Sequence, residues 1–352
     1  MRSLLRTSSL LLTLFGGATL LSAHASAQPV LQRPPVVKKG ELAVEQPRPP
    51  VTQNIANVLT DALSGTSEMA SNGALDGVPV LNGFHFRFTN GDHELQRIWA
   101  TVSSPSSARI SFRDKNADDN YKAGLTWINV KGAGARGEVF AVGGGQFEIP
   151  LPTPRPANHR LVLSGFELNF ASDDEDIRMI GVWLDESRHV ARVSFMNWIG
   201  DTSIGGQLGN AWVPPQPYYR MRGYLTKVVP TAERLASELR AHEKDKDSIR
   251  PIGVRVQYAF IPNTMVESED YFTGTTRAPA SGKVFKARAG IQGFEFWFDN
   301  KAHHILELGV MPPLAGSAAR SRVSAPGEYV AFQDQNRDDP IKWAVKLLNL
   351  KP

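Results

Sequence analysis

Cysteine is absent from all 352 residues, so no disulfide, thiolate ligand or thiol nucleophile can contribute. Stability must come from core burial, for which a 41% hydrophobic content is ample. Beyond the N-terminus no apolar run approaches the ~20 residues a membrane helix needs. A dominant charge is missing as well. Lys+Arg number 39 against 35 Asp+Glu, and losing the first 27 residues removes two Arg and no acid, leaving about +2. Nothing in that balance argues for nucleic acid, which calls for a clustered basic face. The chain also lacks a G-x-S-x-G elbow, a P-loop, a G-x-G-x-x-G turn after a strand and an H-E-x-x-H pair, which removes the common hydrolase, nucleotide and zinc-protease signatures.

What is present begins with an export signal. Arg2 and Arg6 precede an apolar stretch, Leu10 to Leu21, interrupted by Gly16 and Gly17, and Ala25-Ser26-Ala27 is a small-residue cleavage site. Cleavage there predicts a mature protein in the periplasm or outside the cell, not spanning a membrane. Pro29, Pro34, Pro35, Pro47, Pro49 and Pro50 make residues 28–50 an extended tether. The apolar stripe Ile55, Val58, Leu59 and Leu63, closed by Gly65, predicts a short helix. The Ser-, Gly- and Asn-rich stretch 64–76 reads as loop.

The body carries an internal repeat. Gly83-Phe84-His85-Phe86-Arg87-Phe88 matches Gly165-Phe166-Glu167-Leu168-Asn169-Phe170 and Gly293-Phe294-Glu295-Phe296-Trp297-Phe298. Each alternates with the period of a strand buried on one face. A polar turn and a second apolar segment follow: Leu95 to Val102, Ile177 to Leu184, and Ile305 to Val310. Residues 112–131 and 332–351 align without a gap and are identical at eight of twenty positions. The middle copy diverges. Asn197, Ile199 and Asp201 replace its acidic loop, and a long insertion precedes a closing strand near Val254–Ile261. Within the insertion, Thr231 as N-cap and Leu235, Ala236 and Leu239 on one side predict a helix to about His242.

Short strands joined by polar turns imply antiparallel pairing, and one apolar face per strand needs a covering sheet. The expectation is an all-β protein of tandem antiparallel β-sandwich units built from the repeat, with one inserted helix in the middle copy. A lead-in strand is expected near Lys283 to Ala289. The boundaries are 1–27 signal, 28–77 tether and short helix, 78–145 first unit, 146–275 divergent middle unit and 276–352 third unit. A single three-fold object such as a trefoil is the alternative. Unequal spacing, 82 residues from Gly83 to Gly165 and 128 from Gly165 to Gly293, weighs against it.

Two places invite chemistry. Asp114, Asn116, Asp118 and Asp119 in one loop, and Asp334, Asn336, Asp338 and Asp339 in the other, put oxygens at alternate positions, as the first half of a calcium loop does. They lack the following glycine and glutamate of an EF-hand, and an Asx-rich turn capping its own amides gives the same pattern. His93 and His303 occupy equivalent turn positions, with Asp92 and His304 beside them, and a repeated structural role competes with ligation or acid–base work. The acidic run Asp173 to Asp176 reads as a solvated turn.

The second place is aromatic. Trp212, Tyr218, Tyr219 and Arg220, near Trp198 and Tyr224, lie in a Gly- and Pro-rich stretch, where rings with polar neighbours suit sugar or peptide recognition and equally suit edge packing. The expectation is therefore an exported binding or adhesion protein, stabilised by Ca2+ at the acidic loops, that recognises a glycan or an envelope protein. A secreted hydrolase working through scattered carboxylates and a structural assembly component are the competing readings.

Overall fold

Alternating apolar and polar residues build eighteen strands and one helix among the described residues. The computed structural model describes residues 51–55, 59–63, 65–70, 76–114, 120–170, 177–197, 224–242, 252–276, 284–298, 303–313, 330–336 and 340–351. All of these lie in one unit, Pro47–Pro352; the expected signal segment and Pro-rich tether, residues 1–50, fall outside them. The chain runs β1 (Val51–Ile55), β2 (Leu59–Leu63), β3 (Gly65–Ala70), β4 (Val78–Phe88), β5 (Leu95–Ser104), β6 (Ser107–Asp114) and β7 (Asn120–Val130). It continues with β8 (Arg136–Pro150), β9 (His159–Phe170), β10 (Ile177–Asp185), β11 (Val190–Asn197), β12 (Tyr224–Val229) and α1 (Ala232–His242). It ends with β13 (Ile252–Pro262), β14 (Val266–Gly274), β15 (Ala289–Phe298), β16 (Glu307–Val310), β17 (Val330–Gln333) and β18 (Ile341–Leu350).

All pairing is antiparallel, and a six-stranded and a twelve-stranded sheet enclose the core. This is the expected all-β, sandwich-like class. The three Gly-Phe strands, β4, β9 and β15, make equivalent pairings. Each pairs on one side with its own closing strand, β7, β13 or β18. On the other side each pairs with the second strand of the preceding segment: β4 with β16, β9 with β5 and β15 with β10. The second strands carry their hairpin partners β17, β6 and β11 with them. Every segment therefore lends a hairpin to the next, and the exchange closes into a cycle. Unequal spacing along the chain does not disturb this, because the extra length of the middle segment lies between β11 and β13.

The cycle is held at its centre by identical chemistry repeated three times. Phe84, Phe166 and Phe294 are buried and touch one another, with ring centroids 5.0, 4.9 and 4.9 Å apart. A register shift at the residue before each Gly-Phe leaves Asn82, Ser164 and Gln292 out of the ladder. All three are polar and fully buried. Each spends its donor on the neighbouring segment: Asn82 Nδ2 on Ala289 O at 2.6 Å, Gln292 Nε2 on Leu161 O at 2.6 Å, and Ser164 Oγ on Pro79 O at 2.8 Å. The acceptors stand four residues before the glycine in each case. Glycine itself is required by the close approach of the borrowed strand: a Cβ on Gly165 would lie 2.6 Å from Thr101 Cα.

Two expectations are corrected. Residues 51–55, 59–63 and 65–70 form strands β1, β2 and β3 in place of the expected helix and loop. Val51, Thr52 and Ile55 are apolar or β-branched, and the open edges of β7 and β6 offer ladders that outweigh a weak helical stripe. The lead-in strand of the last segment is β14, and residues 284–288 are not strand. The helix is where the periodicity puts it. Thr231 Oγ1 accepts from Arg234 N at 3.3 Å, and Leu235 and Leu239 join Phe140, Val142 and Val229 in a small separate core.

Phe84→Ala removes one ring from a three-way contact shared by all segments. It should cost ~3–5 kcal/mol and still leave one cooperative transition in guanidinium unfolding, because the main core is shared by all three segments.

Candidate functional site

The first aspartate of each acidic loop turns inward. Asp114, opposite the buried Leu95, ends β6, and Asp334 follows β17; both are buried. His303 Nδ1 lies 3.4 Å from Asp334 Oδ2, so the structure unites two residues that the sequence offered separately. The turn histidines also have a structural task. His93 exchanges backbone hydrogen bonds with Ile305, and His303 with Ile177, each bridging to a different segment. Their rings pack on Phe88 and Phe298 at 4.7 and 4.4 Å. Asn336 is exposed. Asn116, Asp118, Asp119, Asp338 and Asp339 lie outside the described residues, as do Trp212, Tyr218, Tyr219, Arg220, Trp198 and the run 173–176. Among the described residues no three His, Asp or Glu side chains gather to hold a metal.

The chemistry that does gather sits on the outer face of the sheets, at the position two residues after each Gly-Phe glycine. His85, Glu167 and Glu295 occupy it, all buried. In the first case His85 Nε2 meets Glu307 Oε1 at 2.6 Å, and Gln333 Nε2 donates to the other oxygen. In the second, Arg97 Nη2 donates to Glu167 Oε1 at 2.7 Å and its guanidinium lies 4.4 Å from the Trp99 ring. Arg97 and Glu307 are equivalent residues of the borrowed strands. In the third case that residue is Met179, which can neutralise nothing.

Glu295 is held differently. Backbone register aligns Ala344, Glu295, Gly181, Ser194 and Gln146 in one row across β18, β15, β10, β11 and β8. Gly181 has no side chain, and a Cβ there would lie 2.6 Å from Phe294 O. Across that gap Ser194 Oγ donates to Glu295 Oε1, and Gln146 Nε2 donates to the same oxygen at 3.2 Å. Oε2 takes no hydrogen bond from the described residues. Burial pushes the Glu295 carboxyl above the ordinary carboxylate range; nearby Arg192 and the two donors pull it back only in part.

The next row is aromatic and charged: Tyr271, Lys346, Gly293, Trp183 and Arg192. Trp183 lies over Gly293, whose Cβ would meet its ring at 2.5 Å. Tyr271 stands edge-on to Trp183 at 5.9 Å and remains 44% exposed, while Arg192 lies 5.6 Å from the other side of Trp183. Burial first, and the Glu295 carboxylate next, raise the Tyr271 phenol above its ordinary range, so it stays a neutral donor. Ser194 donates to the Glu295 carboxyl, and among the described residues it meets no imidazole. The arrangement is a stacking surface over a buried acid. Comparing the residue after each Gly-Phe across the three segments would have pointed to Glu295; nothing in the sequence pointed to Tyr271 or Trp183.

No family model matches the chain, and no curated protein or solved structure does either.

Because the folded state holds the Glu295 proton more tightly than the unfolded chain, that stabilisation is full below the ordinary carboxylate range and is lost as pH rises through the raised value. Glu295→Gln keeps a neutral acceptor for Ser194 and Gln146 without this loss. The melting temperature of the variant minus that of the wild type should therefore grow from about pH 4 to about pH 8; a constant difference would contradict a perturbed Glu295.

Proposed function

We propose that the chain is an exported binding module that recognises a glycan on the outer face formed by β14, β18, β15, β10 and β11. One observation carries this: Tyr271 keeps an exposed ring beside Trp183, framed by Lys346 and Arg192, on an open sheet face. A pyranose offers an apolar C–H face and a rim of hydroxyls. Rings accept the first by stacking, and the phenol, lysine and arginine donors orient the second. The absence of a thiol nucleophile and of the common hydrolase motifs supports binding over turnover. The signal-like N-terminus supports an encounter outside the cytoplasm. Among the described residues no helix is long and apolar enough to cross a membrane.

Glycan-array binding by the mature protein tests the reading. Tyr271→Ala should lower saccharide affinity about five- to thirtyfold, since ring contacts of this kind contribute on the order of 1–2 kcal/mol. Its exposed side chain should leave the melting temperature nearly unchanged. A wild type that binds no saccharide, or a Tyr271→Ala variant that binds equally well, would sink the proposal. Binding of an envelope protein at the same face would transfer it to that partner, and polysaccharide cleavage abolished by Glu295→Gln would replace binding with catalysis.

A further inference from the structure

On the outer face of β9, β5 and β6 the register places Asn169, Arg97 and Arg113 side by side, with Gly253 of β13 at the end of the row under Leu239 of α1. Ile98 and Phe112, the next pair along, are core residues, so both arginines point away from the core on the same side. Like charges directly opposite on neighbouring strands repel. Among the described residues one carboxylate, Glu167, serves the two guanidinium groups. Arg97 uses Glu167 and stacks over Trp99. Among the described residues no acid pairs with Arg113, and its Nε is shielded from solvent without a partner.

The equivalent rows of the other two segments show that the fold does not need this repulsion. The equivalent row next to β4 is Arg87, Glu307 and Gln333: an acid in the middle, Gln333 donating to it and Arg87 4.0 Å away. In the row next to β15 the matching position on the borrowed strand is Met179, paired in register with Met196. Lys122 and Lys342 of the closing strands end these two rows, and the borrowed pair itself is Glu307–Gln333 in one and Met179–Met196 in the other. Of the three borrowed pairs, Arg97–Arg113 is the one that sets two cations opposite each other, half-buried beside the Asn169 amide.

We propose that Arg97, Arg113 and Asn169 form an oxyanion site that takes a carboxylate, sulfate or phosphate group. A guanidinium fork meets two oxygens of such a group at once, and the Asn169 amide supplies a further N–H. The bound anion supplies the missing countercharge, relieving the repulsion between the arginines, so binding and stability rise together.

The test uses the mature full-length chain in low-salt buffer, with inorganic sulfate, inorganic phosphate and glucuronate as separate probes. Melting temperature and calorimetric titration are read for the wild type, Arg113→Gln and Arg109→Gln. Arg113→Gln installs the side chain that Gln333 already provides at the equivalent place, so folding should be preserved. The expected result is a saturable rise in the wild-type melting temperature, kept in Arg109→Gln, with affinity at least tenfold weaker in Arg113→Gln. Without anion, Arg113→Gln should melt at or above the wild type. Sulfate strengthens burial in any protein by exclusion, so an equal rise in wild type and Arg113→Gln overturns the site. An Arg113→Gln variant that melts lower in anion-free buffer, or a wild type unmoved by all three probes, overturns it as well. Saturation by glucuronate would place the oxyanion on a saccharide; saturation by sulfate or phosphate alone would mark a free tetrahedral anion.

Discussion

Everything in this structure depends on the contact among Phe84, Phe166 and Phe294. Each ring belongs to a different segment, and each touches both of the others. Around them Asn82, Ser164 and Gln292 pass hydrogen bonds from segment to segment in one rotational sense. A buried amide or hydroxyl without its acceptor costs ~1–3 kcal/mol, so each segment is held in register by a carbonyl belonging to another. Apolar burial supplies the driving force, and the bulge-borne polar groups fix the alignment, since a one-residue slip would move every side chain to the wrong face.

The exchange of hairpins determines where chemistry can gather. Because β10 pairs with β15 and β5 with β9, the outer face beside each Gly-Phe strand combines residues far apart in sequence. Glu295 meets Ser194 and Gln146 there, and Arg97 meets Glu167. The three equivalent positions share a backbone and differ in side chains: an imidazole–carboxylate pair, a guanidinium–carboxylate pair, and a carboxyl held by a hydroxyl and an amide. Such variation on a constant frame costs the fold little, because the frame is stabilised from the core side. The face with Tyr271 and Trp183 and the face with Arg113 are the two places where the side chains exceed what the frame requires.

Much of the fold was legible in the residues. The Gly-Phe alternation located β4, β9 and β15, the apolar segments located β5, β10 and β16, and Thr231 with Leu235 and Leu239 located α1. The errors have physical causes. Residues 51–55, 59–63 and 65–70 became strands because β7 and β6 offered edges, a tertiary condition invisible to local periodicity. Alternating Asp and Asn suit a solvated turn and a ligand set alike, so the residues left the facing of Asp334 open. That Asp334 turns inward to His303 depends on Phe332, whose burial fixes the facing of the residues after it.

The sequence by itself determined the class of fold, the places of its strands and the three-fold recurrence of Gly-Phe, because periodicity and glycine requirements are local properties of the chain. Tertiary structure alone decided that the segments exchange hairpins, that Glu295 sits under Ser194 and Gln146 beside an exposed tyrosine, and that Arg97 faces Arg113. Those juxtapositions arise from strand pairing between residues about 16 to 149 positions apart, and pairing partners are chosen by which core faces can close together.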